Sequence, residues 1–257
     1  MKTARKTLQV LRLFSAREPE LGVSEVARRL EMDRAGAHRL LRAMAEERFI
    51  EQDPQSRLYR LGLGVLDVAS VRISQHGLLG IAMPHLDRLR DEVGETVALL
   101  VADGRDAVCL AVVESRHPMR VGYDIGERIP LHGSAGGQAL FAYLAQSERD
   151  ALYAGGLKRF TPRTPVEPET LEPMLARIRD ERACWSQEGY IEGVVSAAAP
   201  VMDPKRSLAG AIAIAAPASR IGTAALPGLA RAARGVADAI EAEWAGFAAR
   251  STSTRIV

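Results

Sequence analysis

The sequence predicts an α+β fold in two parts, a small helical unit followed by a larger domain built around an antiparallel sheet. The chain has 257 residues, 47% of them hydrophobic, which is enough for two domains with separate cores. In the first quarter, apolar residues recur at helical spacing. From Leu78 onward, β-rich runs joined by short turns alternate with helical segments, a pattern typical of an antiparallel sheet.

Residues 23–47 predict two short helices separated by a tight turn. The apolar stripe of the first helix comprises Val23, Val26, Ala27 and Leu30, and that of the second comprises Ala37, Leu40, Leu41 and Met44. Ser24 is predicted to cap the first helix and Asp33 the second. A helix over residues 6–15 is predicted to pack beneath this pair. The arrangement is a helix-turn-helix.

The second helix has a polar face opposite its apolar stripe. This face carries Arg34, Ala35, His38, Arg39 and Arg42. The face is cationic, and its side chains near the start of the helix are small, so it can enter a DNA major groove. Ser24, at the start of the first helix, is counted with the predicted DNA contacts. The alternative is an ordinary amphipathic helical hairpin whose arginines are only solvated.

The segment after the second helix favours DNA binding. Residues 49–52 predict a strand, residues 53–56 a turn and residues 57–61 a returning strand. Such a pair beside a helix-turn-helix is a wing. Arg57 and Arg60 are predicted phosphate contacts, whereas Tyr59 and Leu61 are predicted to pack on the helices.

The basic charge is concentrated where DNA binding is predicted. Residues 1–62 contain 13 Lys and Arg against 9 Asp and Glu, a net charge of +4. The remainder contains 34 − 13 = 21 basic and 32 − 9 = 23 acidic residues, a net charge of −2. A local excess of basic residues is what phosphate contacts require.

Several protein classes are disfavoured. The two cysteines, Cys109 and Cys184, have no neighbouring cysteine, so neither a disulfide framework nor a zinc cluster is indicated. The basic N-terminus lacks a leader's uninterrupted apolar run and cleavage site, and no apolar run reaches membrane-spanning length. We therefore expect a cytoplasmic protein without a metal or cofactor and without membrane contact.

The predicted organisation has four segments. Residues 1–62 form the winged helix-turn-helix, residues 63–77 a linker, residues 78–250 the second domain and residues 251–257 a polar, disordered tail. A linker helix over residues 65–75 is predominantly apolar. Because that surface must be buried somewhere, we expect the chain to dimerise through it.

The second domain is predicted from its runs in order. A helix with Pro84 near its start ends at Gly94, and the strands 96–102 and 107–113 flank a turn with Gly104 at a positive-φ position. Residues 120–130 are less regular. Helices are predicted at 135–145, 147–153, 169–183 and 226–249, and strands at 193–201 and 208–215.

Over nearly its full length, the chain resembles the IclR (isocitrate lyase regulator) family of bacterial transcriptional regulators. The resemblance rests on VSEVARRLEMDRAGAHRLLRAM with FIEQDPQSRLYRLG, on GERIPLHGSAGGQALFAYL, and on EGYIEGVVSAAAPVMD followed by AIAIAAPASRI. It implies a linker helix that dimerises and a C-terminal effector-binding domain of GAF/profilin-like α/β topology. It also implies a homodimer or homotetramer that binds a palindromic double-stranded DNA operator and responds to a small organic effector, often a carboxylate.

The resemblance also places the effector. In related domains the ligand is held by the loop corresponding to Ile129, Ala135 and Gly136, and at positions matching Ser196, Ala213 and Ala215. Only Ser196 keeps a hydroxyl here, so the pocket is enlarged and a very small, highly polar effector is disfavoured. We expect an aromatic or longer aliphatic carboxylate, with Val121 and Pro118 as weaker wall candidates.

Two readings of this region stay open on sequence alone. Ser134 precedes a helix whose N-terminal N–H groups suit an anion, but it can serve either as a ligand donor or as the helix cap. The alanines at 209, 211, 213 and 215 share one face of a strand, which leaves space either for a ligand or for a closely packed helix.

Two other functions compete with the ligand-responsive regulator. One is an enzyme that uses Cys109, Ser134 or a histidine, although Ser134 lacks a G-x-S-x-G elbow and the histidines lack metal spacing. The other is a DNA-binding protein whose second domain only oligomerises.

Overall fold

The structure, a computed structural model, describes residues 2–15, 18–75 and 77–253. The chain forms two compact units, Met1–His76 and Gly77–Val257. The first unit contains α1 (Lys2–Leu11), α2 (Val23–Arg29), α3 (Arg34–Glu46), β1 (Ile50–Gln52), β2 (Tyr59–Leu61) and α4 (Gly64–Gln75). The predicted linker helix is therefore α4, and it lies in the first unit.

The first unit is built on one apolar core. Buried members include Val10 on α1, Val26 on α2, Leu41 on α3 and Tyr59 on β2. Strands β1 and β2 pair antiparallel, and Leu21, just before α2, exchanges both backbone hydrogen bonds with Tyr59. This exchange ties the wing to the start of the helix-turn-helix.

Three details of the first unit differ from prediction. Helix α1 runs from Lys2 to Leu11 rather than over 6–15, because Ser15 forms a bridge with Glu18 and the chain has already turned. Strand β2 begins only at Tyr59, since Arg57 has φ +61° and belongs to the turn. Leu61 is 41% exposed, so Tyr59 alone packs on the helices.

The second unit alternates helices and strands. Its elements are α5 (Gly77–Val93), β3 (Thr96–Asp103), β4 (Asp106–Val113), β5 (Arg128–Pro130), α6 (Ala135–Phe141), α7 (Gln146–Ala154), α8 (Pro168–Glu181), β6 (Cys184–Gln187), β7 (Val194–Met202), β8 (Leu208–Pro217), a 3₁₀ turn (Thr223–Ala225) and α9 (Leu226–Ser253). The strands form one antiparallel sheet in the order β5-β4-β3-β8-β7-β6. The predicted α+β class and antiparallel sheet are confirmed.

Both faces of this sheet are covered. Along β3, Val97 and Leu99 point toward the core beneath α5 and α9, while Ala98 and Leu100 point toward α6 and α8. This alternation follows from the two-residue period of a strand. Because each face meets helices, β3, β7 and β8 are apolar on both sides.

Four predictions for the second unit are corrected. Strand β6 was missed, and Pro84 lies inside α5 because that helix begins at Gly77. Helix α6 ends at Phe141 rather than Ala145, because the backbone tightens to i→i−3 hydrogen bonds: the Tyr143 N–H donates to the Leu140 carbonyl and the Leu144 N–H to that of Phe141. Arg149 and Arg179 then donate to the Leu144 and Ala142 carbonyls.

Helix α9 continues to Ser253, beyond the predicted end at Ala249, since no glycine or proline interrupts residues 249–253. The rest of the predicted tail, residues 254–257, lies outside the described residues.

Candidate nucleic-acid interface and ligand cavity

Helix α3 presents the predicted cationic face to solvent. Its start is fixed by Asp33, whose Oδ1 accepts a hydrogen bond from the Gly36 backbone N–H at 2.7 Å. That hydrogen bond is also the main reason why the pKa of the Asp33 carboxyl is lowered. The apolar stripe of α3 is buried as predicted. The residues that it leaves exposed include Arg34, Ala35, His38, Arg39 and Arg42.

The arginines of α3 differ in whether they form ion pairs with carboxylates of the same chain. Arg42 pairs with Glu46 one turn along at 3.1 Å. Within the described residues, neither Arg34 nor Arg39 forms an ion pair with a carboxylate. These two guanidinium groups can therefore approach a polyanion without first giving up an internal partner.

Helix α2 has its basic charge neutralised. Glu25 accepts hydrogen bonds from Arg28 and Arg29, which together lower the pKa of the Glu25 carboxyl to about 2. Arg29 also pairs with Glu18 at 2.6 Å. The free cationic face of the helix-turn-helix therefore lies on α3 rather than on α2.

The prediction that Ser24 caps α2 is wrong. Gly22 is the N-cap residue, without a side-chain cap hydrogen bond, and Ser24 lies in the first turn with an exposed side chain. The helix starts two residues earlier than the cap prediction requires because Val23 already has helical backbone geometry. Exposure leaves the Ser24 hydroxyl available for a phosphate contact, which stays a prediction.

The wing places its two arginines in different situations. The turn is held by Asp53, whose Oδ1 accepts from the backbone N–H groups of Gln55 and Ser56. Arg57 is exposed in this turn, whereas Arg60 pairs across the strands with Glu51 at 2.6 Å. Arg60 must exchange this carboxylate for a phosphate if it is to contact DNA.

A cavity in the second unit, partly open to solvent, joins several of the predicted effector residues. Ser134, Ser196 and Val121 line it. Ser134 Oγ accepts from the Gly137 N–H at 3.2 Å, and Ser196 Oγ accepts from the Ala135 N–H at 3.1 Å. Two hydroxyls thus already bond the first turn of α6, so the cap role of Ser134 is confirmed and its role as a ligand donor stays a prediction.

The remaining predicted effector residues do not line this cavity. Ile129, Ala135 and Ala213 belong to the core between α6 and the sheet, and Ala215 is fully buried opposite Ser196. A Cβ atom at Gly136 would collide with Leu100 and lie 3.0 Å from the Ala213 Cβ. Ala211 and Ala213 are therefore covered by α6, the second of the two readings. The prediction that Ala209 shares their face is wrong, because the register shifts between Val201 and Met202 and Ala209 packs against the core beneath α5 and α9.

The cavity contains polar residues that sequence reasoning missed. They are Ser186, Glu127, Tyr123 and Tyr190. Ser186 lies opposite Ser196 in the β6–β7 register, which could be found only by recognising the short edge strand. Burial raises the pKa of the Tyr123 hydroxyl, so the ring stays neutral and can both donate and accept.

The cysteines offer no reactive thiol. Both side chains are buried, and burial raises the pKa of each thiol to about 12. Cys109 is also close to the Glu127 carboxylate, which disfavours a thiolate further.

We therefore expect neither cysteine to react with a disulfide reagent such as DTNB at pH 8 while the protein is folded. Both should react on addition of denaturant, because the thiols become exposed and recover an ordinary pKa. The measurement is absorbance at 412 nm with and without guanidinium. Rapid release from the native protein would contradict the burial of these groups.

The chain matches two family descriptions in their expected order. Residues 3–54 match the IclR helix-turn-helix domain, and residues 71–242 match the domain described as bacterial transcriptional regulator IclR C-terminal. The second match alone covers more than half of the chain. The chain belongs to the IclR family.

Relatives and solved structures agree with this membership. The HTH-type transcriptional repressor AllR of Salmonella typhi is 34% identical over 200 residues, 77% of this chain and 74% of AllR. A structure from Silicibacter sp. TM1040, described as an IclR transcriptional regulator, has a TM-score of 0.80 at 31% identity and covers 95% of this chain and 96% of that one. An IclR homologue from Microbacterium hydrocarbonoxydans, solved with 4-hydroxybenzoate, has a TM-score of 0.84 at 21% identity, with coverages of 94% and 98%.

This IclR protein is therefore a transcriptional regulator with a helix-turn-helix DNA-binding domain and an effector-binding domain, and it is not an enzyme. The family membership rejects the enzyme alternative raised by Cys109 and Ser134. In the described part of the chain, none of the helices combines the length and apolar character needed to span a membrane.

Proposed function

We propose that this IclR-family chain is a repressor that binds a palindromic operator as a dimer or a dimer of dimers and is released by a small aromatic acid. The observation that carries the proposal is the outward face of α3, where Arg34 and Arg39 are exposed and not engaged with carboxylates. Repression is favoured by the name of the AllR relative, which is 34% identical.

The side chains of α3 suit a major groove. Ala35, near the start of the helix, is small enough to allow the backbone to approach the base edges. Arg39 and His38, one turn further on, supply hydrogen-bond donors that can reach guanine O6 and N7. Exposed Arg57 on the wing can contact an adjacent phosphate, which fixes orientation without reading sequence.

A gel shift on the promoter beside the protein's own gene tests DNA binding. We expect retardation at low salt that survives competition by unrelated duplex. Deletion of the gene should raise expression from that promoter if the protein represses it. Absence of retardation at low salt contradicts DNA binding, whereas retardation with lowered expression after deletion contradicts repression alone.

Helix α4 supplies a surface for a second copy of the chain. Leu63, just before it, and Leu66 and Val68 within it are each 60% or more exposed. Apolar side chains so close together are a self-association surface. A two-fold axis there would also give the pair of reading helices that a palindromic site requires.

Replacing Leu66 with glutamate should therefore convert the dimer to a monomer and weaken operator binding. Each buried charge at such an interface costs more than the apolar contact it removes. The measurement is the molar mass by light scattering after gel filtration. Leu8→Glu is the matched control, because Leu8 on α1 is 64% exposed and should leave the mass unchanged. A dimer that persists in Leu66→Glu argues for a different interface.

The cavity favours an aromatic acid as effector. Ser134 and Ser196 accept from backbone N–H groups through their hydroxyl oxygens and keep their own protons to donate to a carboxylate, whereas Ser186 already donates to the Gly133 carbonyl oxygen at 3.2 Å. The rings of Tyr123 and Tyr190 add an aromatic lining. Glu127 offers an acceptor for a phenolic hydroxyl, and the related protein solved with 4-hydroxybenzoate suggests that compound as a first probe.

A thermal-shift screen with benzoate, 4-hydroxybenzoate and octanoate tests the effector site. A ligand at 100 times its dissociation constant should stabilise the protein by about 2.7 kcal/mol. If none of the acids does so, the rival function, a second domain that only oligomerises, is favoured.

For the acid that binds, Ser196→Ala should weaken affinity about tenfold or more, because a donor to the carboxylate is lost. Titration calorimetry gives the dissociation constants. Ser147→Ala, an exposed serine on α7, is the control and should bind like the parent protein. Equal affinity for Ser196→Ala would place the acid elsewhere.

A further inference from the structure

A second concave site lies between α8 and the edge strand β6. Two adjoining cavities, a smaller and a larger one that are both partly open to solvent, share Gln138, Met174 and Trp185 as lining residues. We name this site the α8–β6 groove. It differs from the effector cavity, although Ser186 contributes to the walls of both.

Gln138, which lines this groove, has a buried hydrogen-bond acceptor without a partner among the described residues. Its side chain is only 1% exposed, and its Nε2 donates to the His132 carbonyl oxygen at 2.9 Å. That bond fixes the orientation of the amide, because Oε1 cannot donate to a carbonyl. In the described part of the chain, Gln138 Oε1 is the buried side-chain polar atom that has no partner. Leaving such an acceptor unpaired costs free energy, so the site favours a molecule that donates to it.

The surroundings of Gln138 favour an organic molecule over water. In the smaller cavity Met174, Ile178 and Trp185 are apolar neighbours, and the charged Arg177 and Glu181 are already paired at 2.8 Å. A buried water needs two to four polar partners, which the side chains of the smaller cavity do not provide; the polar lining of the groove lies in the larger cavity. A planar apolar molecule with one hydrogen-bond donor would pair with Gln138 Oε1 and pack against the apolar side chains.

Trp185 lies at the rim of the groove. Its ring packs against Ala197 and Ala230 on the α9 side of the sheet, and the Arg177 guanidinium lies 5.2 Å from the ring centre. Met174 lines the groove opposite and can adapt its side chain to a planar guest. Thr164 and Thr170 extend the wall of the larger cavity.

We infer that the α8–β6 groove binds a small planar aromatic molecule that donates an N–H or O–H to Gln138 Oε1 and packs against Met174 and Ile178, beside Trp185. The ligand class is an aromatic amide or phenol. This site is separate from the proposed effector cavity and does not depend on DNA binding.

Tryptophan fluorescence tests the inference directly, because Trp185 and Trp244 are the two tryptophans of the sequence. Trp244→Phe leaves Trp185 as the sole reporter. In the full-length protein, benzamide or phenol should produce a saturable change in Trp185 fluorescence at concentrations up to roughly 10 mM. Methyl benzoate, which has the same aromatic body without a donor, should bind at least about tenfold more weakly.

Two variants locate the response. Gln138→Met removes the acceptor and should weaken binding at least about tenfold. Met174→Phe keeps Gln138 and fills the groove, so it should abolish the response even if Gln138→Met fails to fold. Ser196→Ala, in the effector cavity, should leave the response unchanged.

The inference is overturned if neither probe gives a saturable change, or if methyl benzoate binds as well as benzamide. It is also overturned if the response survives in both Gln138→Met and Met174→Phe. A response lost only in Ser196→Ala would show binding in the effector cavity instead, which would support the proposed function and reject the second site.

Discussion

Replacing Arg39 with alanine is expected to weaken operator binding by about 1–3 kcal/mol while weakening non-specific binding much less. Arg39 is exposed on α3, and no described carboxylate pairs with it, so its guanidinium is available for bidentate recognition of a guanine. Fluorescence anisotropy with the operator and with a scrambled duplex measures both affinities.

Arg28→Ala is the matched control, since it removes the same charge from the neighbouring helix. Arg28 is bound to Glu25 within α2, and its loss should change operator affinity little. Equal weakening on operator and scrambled DNA by Arg39→Ala, with a salt slope reduced by about one, would make Arg39 a phosphate contact. No effect on either duplex would remove α3 from the interface.

Replacing Gly137 with alanine is expected to destabilise the second unit by about 3 kcal/mol, the upper end of typical overpacking costs. A Cβ atom there would lie 2.6 Å from the Leu131 carbonyl oxygen and 2.7 Å from that of Pro130. Both atoms belong to the backbone, one at the end of β5 and one in the loop that leads into α6, so neither can move away cheaply. The same shift would disturb the Ser134–Gly137 cap at the edge of the effector cavity.

Gly235→Ala is the control for that substitution. Gly235 lies in α9, is exposed, and has no heavy atom within 4 Å of a built Cβ. Alanine at this position should therefore stabilise the folded protein by about 0.5–1 kcal/mol, as in other helix interiors. Thermal and urea unfolding measure the change in the free energy of unfolding, which should fall in Gly137→Ala and rise in Gly235→Ala. If Gly137→Ala is as stable as the parent protein, α6 does not sit as tightly as the structure shows.

Where local and tertiary signals agreed, the sequence predicted the fold well. Helix α3 has a capping Asp33 and a four-residue apolar stripe, and both were confirmed. The β3–β4 hairpin was predicted from the turn at Gly104, whose φ of +62° explains the glycine. In these segments short-range chemistry alone selects the structure.

Prediction failed where distant residues decide. Strand β6 is a four-residue edge strand without a periodic pattern, and it is held by its register with β7. Helix α6 stops early, and the Ala142 carbonyl just beyond its end accepts from Arg179 on α8. Such contacts join residues far apart in the chain, so no local pattern reports them.

The candidate site shows the same division. The outward face of α3 follows from helical period, and it could be predicted residue by residue. The cavity depends on how β6, α6 and the loop before β5 meet, so Ser186 and Glu127 were missed although Ser134 and Ser196 were found. The alanines of β8 were ambiguous because space on a strand can be filled by a ligand or by a helix such as α6.

Hydroxyl-radical footprinting of the wild-type protein on its operator tests the central claim most directly. If two copies each insert α3 into a major groove, two protected half-sites should appear on one face of the duplex. Their centres should lie about 10 base pairs, or a whole multiple of that spacing, apart. Protection that is continuous, or confined to a single half-site, or out of phase with the helical turn would contradict a paired α3 reading of DNA.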